Sequence, residues 1–231
     1  MRFFLVIFLS LPFFLLVAFP LTLYAFVSRN IKPLYEAYKA FIRLGLKITG
    51  VKVEVKGLEN IPDPPCIFMP NHLSYLDGPI LAVTTPYLLR AMVKKSVFKL
   101  PLIGAGMTLA EFVKVDRKNF RAAARTVDEV IEKLKKGISF MIFPEGTRSP
   151  DGRLQRFKRG GFLIALRSGV KIVPVAIRGA YEIMPRHRFS IKPGRIEIVY
   201  LPPVDPKKYN ENEVNQLMEE VRKRIENELE K

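Results

Sequence analysis

The sequence of 231 residues is poor in the side chains that most often bind metal ions or form disulfides. It contains one cysteine, Cys66, two histidines and no tryptophan. A single cysteine excludes an internal disulfide framework and suits a reducing compartment. One cysteine and two separated histidines also argue against a zinc site. We therefore expect no metal centre.

Acidic residues are scarce as well. The chain has 22 Asp and Glu against 38 Lys and Arg, a net charge of +16. The last stretch, from Tyr209 to Lys231, is by contrast net acidic, with seven acids and four bases, so residues 1–208 carry +19. This excess favours an anionic partner: lipid headgroups, a phosphorylated substrate, an acidic carrier protein or nucleic acid. The length fits one domain with an appendage.

Charge is absent altogether from Phe3 to Ser28, a run of 26 residues rich in Phe and Leu. Because about 20 apolar residues span a bilayer core as a helix, this run is long enough to do so. It is too long for the apolar core of a signal peptide and lacks a clear cleavage site. We expect residues 1–50 to form a membrane-embedded and interfacial helical segment and residues 51–231 to form the folded domain.

The sequence leaves two membrane geometries open. A single tilted span would place Arg29 and Lys32 on the cytoplasmic side, with the domain after them. Alternatively, Pro12 or Pro20 breaks the helix into a hairpin that enters one leaflet. The next segment, 31–46, is amphipathic and is either an interfacial helix or a helix packed on the domain, closed by Gly50.

Strands and helices alternate in the rest of the chain. Strands are predicted at 51–55, 66–69, 88–93, 111–115, 138–143, 172–177 and 195–201, the sixth at an edge or strand start because it contains Pro174. Helices are predicted at 78–83, 120–134, from 162 onwards and at 214–229, with a loop at 100–106. This pattern predicts an α/β fold with a central mostly parallel or mixed sheet and flanking helices.

His72 directly follows the buried strand 66–69 and Pro70. The carboxyl end of such a strand is where open α/β sheets place their chemistry. A strand-to-helix turn can fold Asp77, five residues on, back to the imidazole. The carboxylate would fix the tautomer and leave the other nitrogen free as a base. The alternative is a capping box, Ser74-x-x-Asp77, in which Asp77 serves only the helix start.

A second polar turn, Phe143-Pro144-Glu145-Gly146-Thr147-Arg148-Ser149, follows strand 138–143 about 70 residues after His72. Together with Asn71-His72…Asp77 and the strand ends at 112–117 and 173–176, this order and spacing resemble the glycerolipid acyltransferases of the phosphatidic-acid pathway. Among them, the chain is similar to the 1-acylglycerol-3-phosphate acyltransferases. The resemblance covers roughly residues 66–180, and little of it extends to the N-terminal segment.

The resemblance implies transfer of an acyl group from a thioester to the sn-2 hydroxyl of 1-acylglycerol 3-phosphate, giving phosphatidic acid. It implies acyl-CoA or acyl carrier protein as co-substrate, no cofactor, and a catalytic domain on the cytoplasmic face of the cell (inner) membrane. His72 would be the general base and Asp77 would orient it. Because the thioester is already activated, no covalent intermediate is needed, and no Gly-x-Ser-x-Gly turn surrounds Ser74.

The phosphate of the lysolipid requires cations, and Arg suits bidentate phosphate contacts. Arg148 and Arg117 match motif positions of the family. Lys158 and Arg159, from the adjacent basic stretch, are supporting candidates, and Lys114 is a weaker one. For each of these residues the alternative is a solvated surface charge.

The remaining motif residues have positioning roles under the same resemblance. Glu145 would position substrate or brace an arginine, with a structural ion pair as its alternative. Gly146 and Thr147 would help to bind and position substrate, and backbone amides near Gly146 are candidates for the oxyanion hole. His187 is expected at the surface or facing the membrane, and residues 100–107 could line an acyl-chain channel.

Three other functions stay open at this stage. The nearest is a sibling acyltransferase that acts on glycerol 3-phosphate or another lysophospholipid. The second is an esterase that hydrolyses the same thioester. The third is a membrane-tethered protein that binds anionic lipid or nucleic acid, although no nucleic-acid-binding motif appears and we expect no nucleic-acid partner.

Overall fold

The structure is a computed structural model, which describes residues 2–100, 103–115, 120–188 and 190–231. It begins with one long helix made of α1 (Arg2–Phe13), a π-helical stretch (Phe14–Ala18) and α2 (Phe19–Ser28). Among the described residues, Phe4–Ser28 is the one helix long and apolar enough to cross a membrane, with a mean hydropathy of 2.6. The helix continues through Pro12 and Pro20, with the π-helical stretch between them adjusting the hydrogen bonding. The hairpin broken at either proline is therefore wrong.

The chain reverses instead at residues 29–31, where Arg29 has a left-handed φ of 58°. Helix α3 (Lys32–Thr49) then returns along the first helix, and the rings of Phe13 and Phe41 stack with centroids 4.2 Å apart. The Tyr35 hydroxyl donates to the Ala82 carbonyl at 3.0 Å. Helix α3 thus packs on the domain, as one of its two predicted placements requires. The division of the chain at residue 50 stays a prediction.

A seven-stranded mixed sheet forms the centre of the domain. Its strands are β1 (Val51–Lys56), β2 (Ile67–Pro70), β3 (Arg90–Lys94), β4 (Val113–Val115), β5 (Phe140–Met141), β6 (Ile172–Arg178) and β7 (Gly194–Tyr200), in the order β1-β7-β6-β2-β5-β3-β4. Strands β6, β2, β5, β3 and β4 are parallel, β7 is antiparallel to β6, and β1 is parallel to β7. The predicted α/β fold with a mixed sheet is confirmed.

Helices cover both faces of this sheet. They are α4 (Asp77–Thr84), α5 (Ile103–Leu109), α6 (Phe120–Lys135), α7 (Arg159–Ser168), α8 (Ala180–Ile183) and α9 (Val214–Leu229). Along β2, Ile67 and Met69 pack in the core with α6, α7 and α9, whereas Phe68 packs in the core with α4 and α8. Burial on both faces explains why β2 is a continuous apolar run rather than an alternating one.

Two local predictions are wrong. Strand β6, which contains Pro174, is central, lying between β7 and β2. Proline is tolerated there because the ladder with β7 begins one residue later, at Val175, while the Pro174 carbonyl still accepts the Leu201 N–H at 2.9 Å. The predicted loop at 100–106 contains the start of α5. A Cβ at Gly104 would lie 2.1 Å from the Phe98 carbonyl oxygen, so this glycine permits close packing and does not mark a loop.

Candidate active site

The two predicted motif turns meet at the carboxyl ends of β2 and β5, which are adjacent parallel strands. His72 follows β2, and Glu145 follows β5. The His72 N–H donates to Glu145 Oε1 at 2.8 Å, and the His72 carbonyl accepts the Ser149 N–H at 2.8 Å. Two hydrogen bonds in opposite directions therefore hold the backbone of His72 against the turn after β5.

Asp77 contacts the imidazole as predicted. Its Oδ2 lies 2.8 Å from His72 Nδ1. The same oxygen accepts the backbone N–H groups of Leu73 at 2.7 Å and Ser74 at 2.8 Å. One buried oxygen thus contacts the ring and also holds the turn that precedes α4. The predicted capping box is not formed, because α4 begins at Asp77 after the N-cap residue Leu76, which makes no side-chain cap hydrogen bond. Its second oxygen, Oδ1, has no hydrogen-bond partner in the part of the chain that the structure describes.

The imidazole is fixed on a further side by an aromatic ring. The Phe143 ring stacks on His72 with centroids 3.8 Å apart and an interplanar angle of 21°. The His72 side chain is 19% exposed, whereas the Asp77 side chain is fully buried. A carboxylate at Nδ1 favours the tautomer protonated there and leaves the lone pair on Nε2. The ring is therefore held in the orientation and tautomer that a general base requires.

Glu145 is buried at 2% exposure and accepts two backbone N–H groups, from His72 and, at 3.3 Å, from Gln155. The pKa of Glu145 is raised to about 7, chiefly by burial and also by the Asp77 charge, although the two hydrogen bonds and the charge of Arg222 act to lower it. Arg222, on α9, also donates to the Gln155 carbonyl at 2.8 Å. Glu145 thus supports the histidine backbone, while its predicted contact with substrate stays a prediction.

Arg148 lies over an aromatic ring in the same region. Its guanidinium carbon is 3.4 Å from the centroid of the Tyr75 ring, a cation–π contact. Its Nη1 is buried and makes no hydrogen bond to any residue that the structure describes. A buried donor usually has a partner, so this nitrogen is suited to an anion that completes the site.

The turn between Glu145 and Arg148 is tight. Gly146 has a φ of +70°, and a Cβ there would lie 3.0 Å from Lys158 Nζ, so the lysine side chain covers the glycine. The Gly146 N–H donates to the Phe143 carbonyl at 3.1 Å, which removes this amide from the oxyanion candidates. Thr147 is half-buried in the same turn, and its amide donates to no backbone group among the described residues.

The other predicted residues that the structure describes make no hydrogen bond or ion pair with the His72 side chain. Arg159 is exposed at the first position of α7, and no hydrogen bond or ion pair joins it to the site residues that the structure describes. Arg117 lies outside the described residues. Lys114 is on β4, which β3 separates from β5, and its Nζ lies 5.1 Å from the Phe98 ring centroid. His187 is exposed.

Several residues of the site were not predicted. Asn71 pairs with Ile177 of β6 through both ends of its amide, at 2.7 and 3.0 Å, and so fixes the chain immediately before His72. Phe143 and Tyr75 lie inside the two motifs. Their position near His72 and Arg148 in the sequence is a signal from which the two ring contacts could have been predicted. No local signal identifies Arg222, which is 67 residues from the carbonyl it contacts.

Ser74 does not have the environment of a nucleophile. It is fully buried, and its Oγ donates to the Met184 carbonyl at 2.8 Å while accepting the Leu76 N–H at 3.1 Å. Within the described ranges, no group of three or more His, Cys, Asp or Glu side chains could hold a metal ion. What the site contains is an oriented imidazole, a buried carboxyl and cations beside it.

Known proteins resemble this chain in sequence and in fold. Residues 52–178 match the family model described as Acyltransferase. The 1-acyl-sn-glycerol-3-phosphate acyltransferase of Pseudomonas aeruginosa is 31% identical over 180 residues, which is 78% of this chain and 68% of that protein. The crystal structure of the 1-acyl-sn-glycerophosphate acyltransferase PlsC from Thermotoga maritima superposes with a TM-score of 0.85 at 31% identity, covering 99% of this chain and 95% of that one.

Plant relatives are longer. The chloroplast 1-acyl-sn-glycerol-3-phosphate acyltransferase of Brassica napus is 40% identical over 137 residues, which is 58% of this chain but only 39% of that protein. The chain thus spans well under two thirds of the length of that relative. The family model nevertheless covers more than half of the chain and includes both motif turns. The chain belongs to the acyltransferase family.

Proposed function

We propose that the protein transfers an acyl group from an acyl thioester to the sn-2 hydroxyl of 1-acylglycerol 3-phosphate, giving phosphatidic acid. The observation that carries this proposal is the contact of 2.8 Å between His72 Nδ1 and Asp77 Oδ2, placed beside the turn that holds Arg148. The names of the relatives support the same reaction.

His72 acts as the base through Nε2. The sn-2 hydroxyl gives its proton to this nitrogen as its oxygen attacks the thioester carbonyl. The tetrahedral oxyanion then collapses, the carbon–sulfur bond breaks, and the thiolate takes the proton from the imidazolium. Asp77 stabilises the imidazolium, because its carboxylate is fixed by two backbone N–H groups and cannot turn away.

The lysolipid phosphate lies on the cationic side of the site. Arg148 supplies its unpaired Nη1, and the cation–π contact with Tyr75 holds the guanidinium in place. Lys158, which covers Gly146, adds a second charge. Arg117 and Arg159 remain candidates for the same phosphate. The amides of Thr147 and Arg148 are the candidates for the oxyanion, because the Gly146 amide is already used.

The long N-terminal helix anchors the domain in the bilayer in this proposal. Large apolar side chains such as Phe4, Phe8 and Leu16 are between 71% and 75% exposed, and only 6% of the most apolar window is buried. Such a surface is costly in water and favourable in lipid. The catalytic domain then lies on the cytoplasmic face of the cell (inner) membrane, where the lysolipid can enter laterally from the same leaflet.

Product analysis tests the reaction. Purified protein is incubated with an acyl-CoA or an acyl carrier protein, each with and without 1-acylglycerol 3-phosphate. The proposal expects phosphatidic acid and free thiol in equal amounts, and thiol release only when the acceptor is present. Release without the acceptor would identify an esterase, and transfer to glycerol 3-phosphate or another lysolipid alone would identify a sibling acyltransferase. No turnover with any acceptor would contradict the proposal.

A further inference from the structure

An open groove lies far from the site just described. It occupies about 480 Å³ between the carboxyl-terminal half of α3, the edge strand β1 and the end of α4. Strand β1 is separated from β2 by two strands, about 14 Å at the usual strand spacing. No residue of the candidate active site lines the groove. It is therefore not the lysolipid site.

The groove has an apolar floor and a cationic rim. Half-buried aliphatic side chains form the floor: Leu46, Val53, Val55 and Val83. Three exposed cations form the rim: Arg43, Lys47 and Lys52. No acidic residue is among the lining residues. The groove volume lies within the range of about 300–1,000 Å³ that is typical of ligand pockets.

The three rim cations are not neutralised by the protein. Arg43 makes only a long contact of 3.5 Å to the Val83 carbonyl, and Lys47 and Lys52 make no ion pair with any residue that the structure describes. The other charged residues of β1 are paired, Lys56 with Glu197 and Glu54 with Arg195. Among the charged residues of β1, Lys52 is thus the one that has no ion pair with any residue that the structure describes.

We propose that the groove binds one anionic phospholipid of the bilayer. Its phosphate lies among Arg43, Lys47 and Lys52, and the upper part of an acyl chain covers the aliphatic floor. This inference goes beyond acyl transfer and does not use His72 or Arg148. The ligand would be a membrane component that holds the domain in a fixed orientation next to its substrate.

Three arguments favour a lipid over other anions. Free phosphate would satisfy the cations but would leave the valine and leucine floor in water. An acidic carrier protein would need an interface of roughly 1,000 Å² or more, which is larger than the groove offers. In addition, α3 forms one wall of the groove and also packs on the apolar helix that we propose to lie in the bilayer.

Native mass spectrometry of the full chain in detergent tests this inference. The protein is equilibrated with equal amounts of phosphatidylglycerol and phosphatidylcholine that carry the same acyl chains. We expect one tightly retained phosphatidylglycerol. The triple variant Arg43→Gln, Lys47→Gln, Lys52→Gln should lose about fivefold in affinity per cation, and so roughly 100-fold in total.

A matched control variant loses three positive charges at surface positions outside the groove. Lys136, Lys207 and Lys208 are exposed and do not line the groove. Their triple substitution by Gln should leave phosphatidylglycerol binding within about threefold of the original chain. Equal losses in the two triple variants would show general electrostatic attraction and would overturn the inference. Acyl transfer to a short-chain lysophosphatidate should continue in the groove variant, which separates this result from a failure of the proposed reaction.

A second variant tests the apolar floor with all cations retained. Val53→Trp should fill the groove and abolish the retained lipid, with folding verified by thermal unfolding. If that variant does not fold, Val83→Trp replaces it. Retention of phosphatidylglycerol at the original affinity in the folded variant would contradict the groove as the binding site. Displacement of the lipid by inorganic phosphate, or groove-dependent binding of an acidic carrier protein in its place, would also overturn the proposal.

Discussion

Asp77→Asn separates the two roles of the buried carboxylate. In the original protein, Asp77 Oδ2 accepts three N–H groups, one from His72 Nδ1 and two from the backbone of Leu73 and Ser74. The two backbone donors should force the amide of Asn to present its oxygen at the same point. The imidazole would then keep its orientation and its tautomer but lose the negative charge that stabilises the imidazolium.

The expected loss can be worked from this geometry. Two unit charges about 4 Å apart at an effective dielectric constant near 20 interact by about 4 kcal/mol, which corresponds to roughly a 10³-fold lower kcat. The amide nitrogen would replace Oδ1, which has no partner among the described residues, at a cost of about 1–3 kcal/mol in stability. Asp77→Ala would instead leave two backbone N–H groups without an acceptor, at about 2–6 kcal/mol.

Thiol release from acyl-CoA in the presence of lysophosphatidate gives kcat, and thermal unfolding gives stability. Asp77→Asn should be folded and about 10³-fold slower, and Asp77→Ala should be at least tenfold slower again and less stable. If Asp77→Ala were as active as Asp77→Asn, the carboxylate would have no orienting role. If Asp77→Asn retained nearly full activity, it would have no electrostatic one.

Three further predictions concern the surroundings of the histidine. Arg148→Ala should raise the lysophosphatidate KM by about 10- to 100-fold, with the acyl-donor KM changed less than threefold, whereas equal effects on both would contradict a phosphate role. The pKa of Glu145 is about 7 in the folded state, against an ordinary value of 4.5. The free energy of unfolding should therefore fall by about 3 kcal/mol as the pH rises from 4.5 to 7. Unfolding experiments on Glu145→Gln over the same pH range should not show this dependence. Because the charge of Arg222 lowers the pKa of Glu145, Arg222→Met should move the upper end of that interval to higher pH, while Arg224→Met, a control on the same helix, should not.

Much of the fold follows from periodicity. The long apolar run, the alternation at 51–55 and the helical spacing at 120–134 and 214–229 each indicated an element that the structure contains. The errors at Pro174 and Gly104 have one physical cause in common, which is that tertiary contacts set the roles of both residues. The proline lies where a neighbouring ladder has not yet begun, and the glycine allows a helix to approach a carbonyl. A single sequence does not show either neighbour.

The site was predictable where its residues are local in sequence. His72 and Asp77 are five residues apart, and their contact follows from a strand-to-helix turn. The support from Glu145 required knowledge that β2 and β5 are adjacent, which the strand order alone decides. Arg222 belongs to a helix near the chain terminus that looks like ordinary packing in sequence. Its contact with the Gln155 carbonyl appears only in three dimensions.

The most direct measurement of the central claim is the turnover of His72→Ala, because one imidazole nitrogen carries the proposed chemistry. The variant is purified in the same detergent, shown to be folded by thermal unfolding, and assayed with lysophosphatidate and acyl-CoA at saturating concentrations. If His72 is the general base, kcat should fall by about 10²- to 10⁴-fold, the usual contribution of such a base, while the KM for lysophosphatidate changes little. Turnover of the folded variant within a few fold of the original chain would contradict that role of His72.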